Sequence, residues 1–284
     1  MKEESLLYYE NKNYYKGKGV IITGATGGIG SLLMSTLFHL GARVVALVKD
    51  EKKLNEILNS YGINPKSIHI EKMDFKSDIN YREVFTKIMI YLKGKLDIMF
   101  LCHGIFAQGE IIETILKEYD ETININTRSI MCLISLATPF LKHTKGNIVA
   151  ISSLESYIPV KNSFLNTVSK SMVNMIIQNS ALELASFGVR VNGVAPGVTN
   201  TMFRRNELKI DEFETSKDIE KKNAEYMKNA GMCNLLSQDV VEPDDVVDVM
   251  LFLGCDDAEF ITGEIIKVDN GYSLNHDRSY GSSK

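Results

Sequence analysis

Two short runs in this sequence carry residue types that do chemistry in company. The first, Thr23-Gly24-Ala25-Thr26-Gly27-Gly28-Ile29-Gly30, follows a hydrophobic run and opens an amphipathic one. Glycines at such a junction let backbone amides approach a pyrophosphate, and the start of a helix adds favourable partial charge. The second, Asn166-Thr167-Val168-Ser169-Lys170, begins with an amide and ends with an ammonium. An amide can donate a hydrogen bond to a developing alkoxide, but it cannot release a proton at neutral pH. A phenol and an ammonium recur at the same spacing in Tyr157-Ile158-Pro159-Val160-Lys161. Pro159 opposes an uninterrupted helix there, so this run is expected on a loop, from which Tyr157 either reaches a pocket as an acid or lines it. His103 stands alone, and a lone histidine is more often structural than a proton carrier.

The elements that must hold these residues alternate along the chain. Strands are expected at Gly19 to Thr23, Arg43 to Val48, Ser67 to Met73, Ile98 to Cys102, Asn147 to Ser152, Val189 to Ala195 and Ile265 to Val268. Several are nearly continuous in Val, Ile and Leu, as in parallel strands buried on both faces. Between them lie helical patterns, among them Ile29 to Leu40, Tyr81 to Leu92, Ile125 to Leu141, Thr167 to Phe187 and Pro243 to Leu253. The alternation predicts an α/β fold: a Rossmann-type, doubly wound parallel sheet of about seven strands with helices on both faces. We expect a polar extension at 1–17, a single domain at 18–274 with a charged helical flap at about 201–242, and a polar tail at 275–284.

Composition narrows the partners. A chain of 284 residues, 44% hydrophobic, can bury a full core. Its net charge of −4, without a basic stripe, gives nucleic acid no electrostatic footprint. Cys102, Cys132, Cys233 and Cys255 are scattered without Cys-x-x-Cys spacing, which reads as reduced thiols, with neither disulfides nor a metal site expected. The acidic, tyrosine-rich start does not read as a signal peptide, and no apolar run approaches the roughly 18 residues of a membrane span. A cytoplasmic protein is expected.

From about Gly19 to Leu274 the sequence resembles the short-chain dehydrogenase/reductase family of nicotinamide-dependent oxidoreductases. Thr23, Gly24, Gly28 and Gly30 match its Thr-Gly-x-x-x-Gly-x-Gly loop, and Ile29 lies within it. Asn126, thirteen residues before Pro139, falls at the catalytic asparagine, and Ser153, thirteen before Asn166, at the catalytic serine. Lys170 is the lysine of Tyr-x-x-x-Lys, with Asn166 in the tyrosine's place. The run from Pro196 and Gly197 to Thr201 matches the loop near the nicotinamide amide. Leu101-Cys102-His103-Gly104 replaces Asn-Asn-Ala-Gly and keeps only Gly104.

The resemblance implies that Asp74 contacts adenine. It also implies that Val48 sits where NAD-preferring relatives carry an acid, followed by the cation Lys49. A lysine attracts a 2′-phosphate that a carboxylate would repel, so the expected cofactor is NADP, with NAD as the alternative. In the family the tyrosine protonates the carbonyl oxygen as hydride arrives, the serine holds that oxygen, and the lysine binds the nicotinamide ribose. The implied function is that of an NADP-dependent oxidoreductase acting on a carbonyl, imine or activated alkene with an altered proton donor: Tyr157, His103, a water or the substrate itself. A silent NADP-binding protein is the alternative. Relatives associate through the helix after Lys170 and the helix holding Asn126, so a homodimer or homotetramer is implied, with Met172, Val173, Met175, Ile176 and Ile177 as apolar surface.

Overall fold

Seven parallel strands form one sheet: β1 (Gly19–Thr23), β2 (Arg43–Val48), β3 (His69–Lys72), β4 (Ile98–Leu101), β5 (Asn147–Ile151), β6 (Arg190–Pro196) and β7 (Ile265–Val268). Their order is β3-β2-β1-β4-β5-β6-β7. This arrangement comes from a computed structural model, which describes residues 3–76, 80–107, 109–201, 222, 236 and 240–274. The expected flap at 201–242 therefore falls almost wholly outside the described residues, and the tail at 275–284 entirely so.

Because side chains alternate along a strand, the sheet buries two clusters. Val20, Ile22, Val44, Ala46, Phe100 and Val194 face α1 (Glu3–Lys12), α2 (Gly28–His39), α3 (Glu51–Ser60) and the helix Pro243–Gly254, here α8. Ile21, Val45, Met99, Leu101, Ile148 and Val191 face α4 (Tyr81–Tyr91), α6 (Ser129–Thr144) and α7 (Phe164–Leu184). Strand order reverses between β1 and β4, and a sheet wound this way opens its crevice beyond the carboxyl ends of the strands at that point.

Three local expectations change. The start of the chain is more than a polar extension: α1 packs on the domain, Tyr15 is fully buried, and its hydroxyl donates to the Leu251 carbonyl. Tyr8 and Tyr14 both donate to Asp257, so tyrosines that read as polar in sequence act as amphipathic packing. The strand expected from Ser67 begins at His69, because Pro65–Ser67 forms a 3-10 turn capped by Asn64. The helix expected from Ile125 is preceded by α5 (Leu116–Ile123) and a π-helical turn, Asn124–Arg128, before α6 starts at Ser129. On α7, Val173 and Ile177 are buried against the sheet, whereas Met172 and Met175 are exposed.

Candidate active site

The carboxyl ends of β1, β4, β5 and β6 and the start of α2 wall a cavity of about 410 Å³, within the usual range for small ligands. Gly24, Gly28, Ile29 and Gly30 line one end; Gly104, Ser153, Asn166, Lys170, Pro196, Gly197 and Thr201 line the rest.

The glycine turn is built for close backbone approach. Gly24 adopts φ +65, and a Cβ there would lie 2.8 Å from the Cys102 carbonyl oxygen and the His103 nitrogen. A Cβ on Gly30 would lie 2.3 Å from the Gly24 oxygen, and one on Gly28 would lie 2.7 Å from Thr201 Cγ2. Gly27 caps α2 without a side-chain hydrogen bond, and the first turn carries no acid. The first amides of α2 therefore face the cavity end without a side-chain competitor, which suits a phosphate.

Thr23 does not line the cavity; it is fully buried and belongs to a brace behind the turn. The Ser129 hydroxyl donates to the Ile125 carbonyl at 2.6 Å, so its oxygen accepts from His103 Nε2 at 2.6 Å. His103 Nδ1 is then the acceptor for the Thr23 hydroxyl at 2.6 Å, and the Thr23 oxygen accepts from the Cys102 amide at 3.0 Å. The chain of donors fixes the neutral Nε2–H tautomer. The ring also stacks on Phe75, with centroids 4.1 Å apart. Burial, and then the nearby Lys170 charge, push its pKa down to about 3. His103 thus ties β1, β4 and the π-helical turn together and has no proton to give.

This brace predicts a pH effect. The folded protein binds fewer protons at His103 than the unfolded chain between about pH 3 and the ordinary value near 6.5. The stability it contributes is present above that window and is lost as pH falls through it. Replacing His103→Asn should remove about 2–3 kcal/mol of the stability difference between pH 7 and pH 4.5, read from urea unfolding at both values. An unchanged difference would show that His103 does not titrate this way.

Lys170 is buried, and its ammonium donates to the Ile151 carbonyl at 3.0 Å. Burial lowers its pKa to about 8, opposed by Cys102 and Glu155. Burial also pushes the Cys102 thiol up to about 12, so near neutral pH the working counter-charge is Glu155. The Ser153 oxygen accepts from the Glu155 amide at 3.2 Å, capping the 3-10 turn Leu154–Ser156. That bond uses a lone pair and leaves the hydroxyl hydrogen able to donate into the cavity.

Other sequence-derived candidates sit differently. Asn126 is fully buried outside the cavity lining: its oxygen accepts from the Ile105 amide at 2.8 Å, and its nitrogen donates to the Ile105 carbonyl at 2.9 Å and to the Ser169 hydroxyl at 3.0 Å. It positions the loop after β4. Tyr157 also lies off the cavity; its ring is exposed, with Lys267 Nζ 4.6 Å from the centroid, so the displaced-acid role has no geometry behind it. Lys49 pairs with Asp74 at 3.4 Å, and neither lines the cavity.

Two charged lining residues escaped the sequence reading. Lys53, on the first turn of α3, was hidden in a run of surface charges. Glu155 was signalled only by being an acid in the loop Leu154 to Leu165, and Asn166 Nδ2 donates to its Oε2 at 2.7 Å.

Comparison with known proteins gives the same architecture over nearly the whole chain. A family model described as Enoyl-(Acyl carrier protein) reductase matches residues 24–273. Short-chain dehydrogenase reductase 3a of Arabidopsis thaliana is 30% identical over 265 residues, spanning 91% of this chain and 96% of its own. A tropinone reductase homolog of Datura stramonium is 28% identical over 267 residues, spanning 92% of this chain and 93% of its own. Among solved structures, the aldohexose dehydrogenase of Thermoplasma acidophilum superposes with a TM-score of 0.79 at 25% identity, covering 95% of this chain and 98% of its own.

Proposed function

The chain belongs to the short-chain dehydrogenase/reductase family, and from that premise we propose that it is an NADP-dependent oxidoreductase acting on a carbonyl, imine or activated alkene with an altered proton donor. The observation that carries this reading is one continuous cavity lined by the glycine turn, Ser153, Asn166 and Lys170. A protein that only stored a nucleotide would not require a hydroxyl donor opposite the ribose end. NAD(P) use goes with the family; the preference for the phosphorylated form is supported by Val48 at the end of β2, where no carboxylate stands, and by Lys53 in the wall. Lys49 contributes less than its sequence position suggests, since Asp74 offsets its charge.

The residues fit the cofactor: amides of Gly28, Ile29 and Gly30 would hold its pyrophosphate, Lys170 and Gly104 its nicotinamide ribose, and the Pro196–Gly197 turn its amide. When bound, the dihydronicotinamide would supply hydride. Ser153 then donates to the substrate oxygen or nitrogen, and Asn166 cannot deliver a proton. A second reading, a nucleotide-binding protein without turnover, is favoured by the engagement of Asn126 with Ile105 and of Asn166 with Glu155.

Fluorescence titration should give NADPH at least about tenfold tighter than NADH, the contribution of one charge-assisted contact. Transfer of deuterium from labelled NADPH to any member of a carbonyl and imine panel then separates the two readings; tight binding without transfer favours the silent one. Exposed Met172 and Met175 on α7 and Met131 on α6 support a homodimer or homotetramer. The reading includes a cytoplasmic location. Among the described residues no helix is long and apolar enough to cross a membrane, and one relative, a tropinone reductase homolog of Arabidopsis thaliana, is named chloroplastic.

A further inference from the structure

We propose that Asn166 Oδ1 is a specificity-determining acceptor in the substrate half of this cavity, selecting neutral carbonyl compounds that carry a hydroxyl group of their own. The inference rests on the oxidoreductase reading above and narrows its substrate class.

A side-chain amide can face either way, and here its neighbour decides. Asn166 Nδ2 donates to Glu155 Oε2 at 2.7 Å, and the Ser163 hydroxyl donates to the same oxygen. Glu155 is the counter-charge of Lys170, and an ionised carboxylate has no hydrogen to give, so the amide nitrogen must be the atom that meets it. The amide oxygen is thereby turned to the other side. Among the described residues no group donates to it, although Asn166 is only 4% exposed. Nor is it sealed without a partner, as Asn55 Oδ1 and Asn147 Oδ1 are, so the space left to it is the cavity that Asn166 lines.

A phenol at this place would donate to a substrate oxygen, whereas an amide oxygen can only accept. An acceptor that loses contact with water and gains no donor costs binding, and a ligand that brings an O–H restores the bond. Ser153 supplies the complementary half, a hydroxyl whose hydrogen is left to donate while its oxygen accepts from the Glu155 amide. The charges at this end do not call for an ion, because Glu155 and Lys170 offset each other. The adjoining wall, Ile105, Phe106, Leu154, Ile158 and Val160, is apolar. What complements such a wall is an uncharged, largely apolar body with a carbonyl for Ser153 and a hydroxyl for Asn166.

The test uses the protein loaded with tetrahydro-NADP, which has no hydride to give. Calorimetric titration compares 2- and 4-hydroxytetralone with 2- and 4-methyltetralone, in which a methyl group replaces the hydroxyl at each of two spacings from the carbonyl. At least one hydroxy ketone should bind about tenfold tighter than its methyl counterpart, and Asn166→Leu should erase that preference. If the leucine variant does not fold, Asn166→Ala carries the same prediction. Equal affinities within both pairs in the unmodified protein, or a preference that survives at full size in the folded variant, would overturn the proposal. Deuterated NADPH is then offered the preferred ketone. Label in the product supports the inference together with the reading it rests on. A preference without label removes the oxidoreductase reading and leaves the acceptor role of Asn166 standing.

Discussion

Replacing Asn166→Tyr should raise kcat/KM for reduction of neutral cyclic ketones by NADPH by on the order of 10²-fold, the low end of what a positioned acid contributes. The companions are in place: Ser153 and Lys170 line the same cavity as residue 166. Lys170 sits one helical turn along α7, and its charge would steady a phenol that must ionise. What stands in the way is Glu155, whose carboxylate meets the end of the Asn166 side chain. A phenol there must displace the carboxylate or share space with it. The double variant Asn166→Tyr with Glu155→Ala should therefore exceed the single one in ketone reduction. If neither variant gains, the pocket has diverged beyond these two residues.

The second large effect belongs to the glycine turn. Gly30→Ala should weaken NADPH binding by about 10²-fold or more and lower stability by about 1–3 kcal/mol, because the added methyl would sit 2.3 Å from the Gly24 carbonyl oxygen. That oxygen cannot retreat: Gly24 holds a left-handed φ of +65 and is pressed against the Cys102 and His103 backbone. Opening the turn to relieve the clash would turn its amides off the pyrophosphate. Gly27→Ala is the milder comparison, since its Cβ would lie 3.3 Å from the same oxygen, a close contact that a shift of a few tenths of an ångström at residue 27 relieves. Its backbone is extended at φ −85, a conformation open to any residue. Calorimetric titration and thermal unfolding of the two variants separate a steric requirement at position 30 from a general effect of losing glycine. Equal behaviour of the pair would refute the packing argument.

Much of the architecture was legible because it depends on local periodicity. Runs such as Val44-Val45-Ala46-Leu47-Val48 are apolar at consecutive positions, which buried parallel strands tolerate and surface elements do not. β1, β2 and β7 fall where the run of residue types places them. Where hydrogen bonding competes with the pattern, boundaries move. The π-helical turn at Asn124–Arg128 interrupts a continuous helical periodicity, and the side-chain amide of Asn126 within it is tied to Ile105. The tyrosines near the start misled for a related reason: their polarity lies in one terminal atom, and the ring buries as readily as phenylalanine.

The sequence by itself determined the glycine turn and the doubly wound sheet, because both depend on residue type at a fixed spacing along the chain. Tertiary structure decided the rest. It turned His103 into a neutral brace, paired Lys49 with Asp74, left Tyr157 outside the cavity and set Glu155 against Asn166. Those outcomes depend on which strand ends meet at the crevice, and hence on burial and on partners distant in sequence, which no local spacing encodes.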